Sequence, residues 1–113
     1  MKKFIVIYHA PVSFREGMKD ASPEEGKKEM EAWHAWAQKC GSGLVDFGTP
    51  LVNAHKMGKE QHGKSESTVV GYSVLQAESW DEVNKMIKGH PHLGWKDGCE
   101  IEVHETMPLP GSA

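Results

Sequence analysis

The side chains best suited to chemistry in this sequence are its histidines, seven of them in 113 residues. His90 and His92 flank Pro91 just beyond the end of a helical segment. Imidazole titrates near neutrality, so it can serve as general acid, general base or metal ligand. In an extended His-Pro-His the two rings point to opposite sides, so a shared metal would require a bend. Neither a His-Glu-x-x-His nor a paired Cys-x-x-Cys spacing is present, and no metal is expected. Two readings stay open: one of these histidines lines a pocket, or both are loop residues bonded to nearby carbonyls. His34, on the margin of a helix, is the third candidate for proton transfer. A neighbouring acid or a second histidine would orient it; the alternative is a boundary residue packed on Trp33.

Three further residues are candidates for contact with a ligand. Tyr8 lies near the end of the first strand, Asp46 follows Leu44-Val45 as a pocket acid or a turn residue, and Trp95 sits in a loop beside Gly94 where it can stack on a ligand. Trp33, Trp36 and Trp80 read as core or interface anchors. Gly41-Ser42-Gly43 superficially suggests a phosphate loop, but it follows a helix, and a helix C-terminus carries partial negative charge that repels phosphate. Cys40 and Cys99 have no activating cation beside them and read as small hydrophobes.

Composition narrows the partners. With 13 Lys and Arg against 16 Asp and Glu, the net charge of −3 does not favour a phosphate backbone, so no nucleic acid is expected. Met1-Lys2-Lys3 precedes an apolar run of only Phe4 to Tyr8, too short for a signal-peptide core or a membrane span. The expectation is a cytoplasmic protein with free thiols, no membrane association and no cofactor. A chain of this length buries about 65 % of its unfolded surface, enough for one core. We therefore expect a single domain over residues 1–108 and a tail over 109–113.

The elements that must position the candidates are legible from periodicity. Residues 3 to 9 are apolar on both parities, which marks a central strand. Ala10 to Ala21 shows no period and reads as a loop, long enough to form a rim or lid. Ser22-Pro23-Glu24-Glu25 is a capping box with proline at the first helical position. The helix it starts carries Met30, Trp33, Ala37 and Cys40 on one face and stops at Gly41. Leu44 to Val52 reads as a bent or bulged edge strand, because Gly48 and Pro50 interrupt it. Asn53 to Ser67 is polar and reads as an exposed hairpin connection. Thr68 to Ala77 is a second strand apolar on both faces.

Ser79-Trp80-Asp81-Glu82 is a second capping box, and Val83, Met86 and Ile87 form the apolar face of a short helix that stops at Gly89. Cys99, Ile101 and Val103 then alternate with Glu100, Glu102 and His104, a last strand with one dry face. The order is β-α-β-β-α-β. Right-handed crossovers in that order give an α+β fold of ferredoxin-like type: a four-stranded antiparallel sheet, strands 1 and 3 central, two helices on one face. The opposite face keeps apolar residues without a cover, so a homodimer or larger homo-oligomer stacked sheet on sheet is expected.

Two stretches carry a resemblance: Gly-Leu-Val-Asp-Phe-Gly-Thr-Pro-Leu at residues 43 to 51, and His-Pro-His-Leu followed by Gly-Cys-Glu-Ile-Glu-Val-His-Glu-Thr-Met-Pro within residues 90 to 108. With the Trp-x-x-Trp of Trp33 to Trp36, they resemble the YCII-related family. The resemblance implies a ferredoxin-like dimeric α/β barrel and a small-molecule enzyme that uses pocket histidines for proton transfer; a non-catalytic ligand-binding or protein-interaction module on the same fold is the alternative. It implies a dyad of a histidine on the first helix, here His34, and an aspartate before the proline after the second helix. This chain has His90 at that second position, and His92 keeps the Pro-His-Leu of the family branch.

Overall fold

A computed structural model describes residues 1–111, so the end of the expected tail, Ser112 and Ala113, lies outside the described residues. The chain runs β1 (Lys2–His9), α1 (Phe14–Met18), α2 (Pro23–Cys40), β2 (Leu44–Asp46), β3 (His55–Met57), β4 (His62–Lys64), β5 (Val69–Ala77), α3 (Trp80–Ile87) and β6 (Glu100–Glu105), with 3-10 turns at Gly41–Gly43 and Pro91–Gly94. The main sheet has the order β2-β5-β1-β6 and every pair in it is antiparallel. This is a mixed α+β architecture that fits the ferredoxin-like arrangement. The two strands apolar on both parities, β1 and β5, are the central pair, each hydrogen-bonded to a strand on both edges.

Register settles which side chains share a face. Val6 stands opposite Ser73 on one side and Val103 on the other, and Tyr8 stands opposite Gly71 and Ile101. Phe4, Val6 and Tyr8 point to the helices: Phe4 meets Trp80 edge-on at 4.9 Å and Tyr8 meets Trp33 at 5.0 Å. Phe4, Val6, Leu75 and Val83 are fully buried there. Each such side chain contributes about 1.5–3 kcal/mol by leaving water. Ser22 and Ser79 cap α2 and α3 by accepting from the amides of Glu25 and Glu82.

Three expectations are corrected. The segment from Ala10 to Ala21 contains α1, whose N-cap Ser13 accepts from the Glu16 amide at 3.1 Å. Ser13-x-x-Glu16 is itself a capping-box spacing, and Phe14 and Met18 at i and i+4 form the apolar edge of the turn. The strand expected over Leu44 to Val52 pairs only as far as Asp46, with a bulge, and returns as an isolated bridge from Pro50 to Gly71. Gly48 breaks it: its φ of +79° is left-handed, and a Cβ there would lie 1.7 Å from the Tyr72 carbonyl oxygen. The buried stripe of α2 is centred on Trp36 and Cys40, with Trp33 and Ala37 half-buried and Met30 51 % exposed. The first half of α2 overhangs an opening in the core, so Met30 meets that opening instead of packed side chains. The edge position of β2 and the hairpin between residues 53 and 67, formed by β3 and β4, agree with the sequence reading.

Candidate functional site

Under the first half of α2 lies a cleft of about 360 Å³. Its walls come from α1 (Phe14, Met18), α2 (Glu29, Met30, Trp33, His34), the loop after β2 (Phe47 to Pro50), the end of β1 (Tyr8) and the turn after α3 (His92, Trp95). Gly17 lets α1 lie directly on Trp95, since a Cβ at that position would come within 2.5 Å of the indole. The floor is Tyr8, and what fixes Tyr8 can be followed atom by atom.

After α3 the chain turns at Gly89, and Pro91 opens a 3-10 turn capped by His90. The His90 Nδ1 accepts from the His92 amide at 3.0 Å, so in the neutral ring the proton is on Nε2. That Nε2–H donates to the Tyr8 hydroxyl at 3.1 Å. The Tyr8 hydroxyl then donates to Ser73 Oγ at 2.7 Å, and Ser73 donates to the Phe47 carbonyl at 2.7 Å. Every hydrogen in this chain has one direction, and it ends by holding the backbone of Phe47 at the rim of the cleft. Burial pushes His90 down to about 3, with the neighbouring His92 and Lys39 acting in the same sense, so the ring is neutral at pH 7. Burial also pushes the Tyr8 phenol well above its ordinary value.

His92 is 3 % exposed and its Nε2–H donates to the His9 carbonyl at 2.7 Å. Burial lowers its pKa, while the bond to the His9 carbonyl and the carboxylate of Glu29 partly offset that. Glu29 in turn accepts from the Trp33 indole N–H at 3.3 Å. His34 is solvent-exposed at the mouth, its ring edge-on to Phe47 at 5.7 Å.

The structure therefore brings Tyr8, His34, His92 and Trp95 to one cleft. His90 sits beneath it, 2 % exposed, packed on Trp36 at 4.3 Å and Trp33 at 4.7 Å. Asp46 is turned away: its carboxylate accepts from the Gly48 amide at 2.9 Å and from the Tyr72 hydroxyl at 3.2 Å, which is the turn role considered for it. Glu29, Phe14, Met18 and Phe47 were not singled out from the sequence. Glu29 has a signal there, because it falls one turn before Trp33 and after Gly26 on the same helix face. Phe47 has none. Among the described residues no group of three His, Cys, Asp or Glu side chains is arranged to hold a metal ion. No helix among them is long and apolar enough to cross a membrane.

No protein-family model matches the chain, and no curated protein matches it either. Among solved structures it is similar to 5-chloro-2-hydroxyhydroquinone dehydrochlorinase from Burkholderia phenoliruptrix in complex with 2,5-dihydroxybenzoquinone, with a TM-score of 0.48 and 18 % identity, covering 90 % of this chain and 91 % of that one. It is also similar to At3g17210 from Arabidopsis thaliana, with a TM-score of 0.48, 12 % identity and 100 % of each chain covered. Likenesses this distant assign no residue a role, and the site is read from its own geometry.

Proposed function

We propose that this protein is a small-molecule enzyme of YCII-like type, one domain over residues 1–108 with a short tail. Its cleft binds a flat, mostly apolar compound and its histidines move a proton on it. The observation that supports this is a cleft of about 360 Å³ walled by the rings of Tyr8, Phe14, Trp33, Phe47 and Trp95 and reached by two imidazoles. Clefts of this size and lining are the usual form of a small-ligand site. His34, open to solvent, is the group that exchanges the proton; His92 orients the bound molecule from below. His90 is a positioning residue that acts through Tyr8.

Trp33 and Trp95 make binding visible. Aromatic fragments are expected to quench indole fluorescence, raise the melting temperature and shift the Trp33 and Trp95 indole NMR signals together. For a bound fragment with an acidic C–H, deuterium from solvent should enter it, and His34→Gln should slow that exchange by about 10²-fold or more while binding persists. Fragments that bind without disturbing Trp33 and Trp95 would place the site elsewhere and overturn the reading. A second reading, a binding module without catalysis, has one observation in its favour: every buried side-chain nitrogen and oxygen among the described residues already has a partner. Under that reading fragments bind the cleft, and exchange in the bound fragment is no faster than in water.

The same proposal includes a homodimer. Ile5, Ile7, Tyr72 and Val74 are only half-buried on the sheet face that no helix covers, and His9 and His104 both bond Glu102 beside them at 2.7 and 2.6 Å. Stacking that face on a second copy removes the stripe from water. Sedimentation at micromolar concentration should show twice the 12.5 kDa of one chain, and a lone 12.5 kDa species would refute the dimer. Cys40 and Cys99 are both free thiols, in keeping with the cytoplasmic location expected of the chain.

A further inference from the structure

Among the described residues no lysine or arginine lines the cleft, and the one formal charge on its walls is the carboxylate of Glu29. Glu29 belongs to none of the ion pairs among the described residues, which join Lys2 to Glu105, His9 to Glu102, Lys19 to Glu16 and His104 to Glu102. One of its oxygens is steered by the Trp33 indole N–H. This carboxylate lines the cleft among aromatic rings with no cation paired to it among the described residues, so a cationic ligand can serve as its ion-pair partner. The rings add to the same preference, because the face of an indole or phenyl ring carries negative electrostatic potential. Trp95 already holds one ammonium in this way, the Lys96 Nζ lying 5.7 Å from its ring centre. An anionic ligand would meet the Glu29 carboxylate on the wall of the cleft.

We propose that the cleft selects a small organic cation, an ammonium group carried on an aromatic or compact apolar body, with Glu29 as its counter-ion and the rings of Trp33 and Trp95 as its walls. This rests on the cleft being a small-molecule site and adds the charge of what occupies it. Aromatic rings and a carboxylate recognise a quaternary nitrogen without needing hydrogen-bond donors, which the floor of this cleft has already committed elsewhere.

The test compares three probes of similar shape, phenyltrimethylammonium, tert-butylbenzene and benzoate, by titration of the Trp33 and Trp95 indole NMR signals at pH 8, above the ordinary histidine range. Phenyltrimethylammonium is expected to bind about tenfold tighter than tert-butylbenzene, with benzoate weakest, from the combined ion-pair and cation–π terms. Glu29→Gln keeps an oxygen for the Trp33 N–H and should remove most of that preference while leaving tert-butylbenzene binding unchanged. Met30→Lys, at an exposed position on the rim, puts a fixed cation on the cleft wall and should weaken the preference by repelling the cationic probe, independently of Glu29. Equal or tighter binding of tert-butylbenzene or benzoate at the same indoles would overturn the proposal and leave the small-molecule site standing. Absence of any indole shift with all three would overturn both. A preference that survives Glu29→Gln and Met30→Lys alike would also refute the role of Glu29.

Discussion

His90→Ala is expected to destabilise this protein by about 3–5 kcal/mol, the range for removing a large buried ring. The imidazole is 2 % exposed and fills the space between Trp36, Trp33 and Tyr8 at 4.3, 4.7 and 5.0 Å. Its loss also strips the His92 amide of its acceptor and the Tyr8 hydroxyl of its donor. Unsatisfied buried groups of this kind cost about 1–3 kcal/mol each, but here they share the cavity with the lost ring and the two effects are not additive. His90→Asn separates them. An asparagine oxygen accepts from the amide two residues on, as His90 Nδ1 does, so this variant should recover about 1 kcal/mol of the loss. Urea unfolding of the three proteins checks this; a loss below about 1 kcal/mol for His90→Ala would mean the ring is not packed as described.

Stability is expected to fall as the solution is acidified from pH 7 to pH 5, well before ordinary carboxylates titrate. His90 has a folded-state pKa pushed by burial to about 3, against about 6.5 in the unfolded chain. Between those two values the unfolded chain binds a proton that the folded chain refuses, so acid favours unfolding. The contribution of His90 is fully present above about pH 6.5 and declines through the window below it. The slope approaches about 1.4 kcal/mol per pH unit, so about 2 kcal/mol is lost by pH 5 from this residue. His92, also lowered by burial, adds to the loss in the same direction. Chemical denaturation at pH 7.5, 6.5, 5.5 and 5.0 should show the decline in the native protein and a shallower one in His90→Asn, which has no group to protonate there. Parallel curves for the two would show that His90 is not held neutral in the fold.

These two predictions concern a residue whose importance is visible in the sequence and whose function is not. His90 and His92 attract notice by type and spacing, and an extended His-Pro-His would have sent their rings apart. The 3-10 turn beginning at Pro91 bends the chain instead, so that both rings flank Tyr8, at 5.0 and 5.1 Å. Proton direction in the chain from His90 through Tyr8 and Ser73 to Phe47 follows from that bend, and it links residues up to 82 positions apart.

What the sequence by itself determined is the part of the structure written in short-range patterns. The capping serines Ser22 and Ser79, the alternation in β6 and the two-sided apolar composition of β1 and β5 are local signals, and together they specify element order, the central strands and the helix-covered face. The helix α1 was equally local, in Ser13-x-x-Glu16, but it is a single turn whose apolar edge has only two residues. Only the tertiary structure decided the site. Asp46 is spent on Gly48 and Tyr72, Trp33 faces a cleft in addition to the core, and Glu29 becomes the one carboxylate among aromatic rings. Periodicity says which face of an element is apolar, and it carries no information about which two faces meet or where they leave a gap. The cleft is such a gap, made where α2 overhangs the sheet and α1 and the turn after α3 close around it.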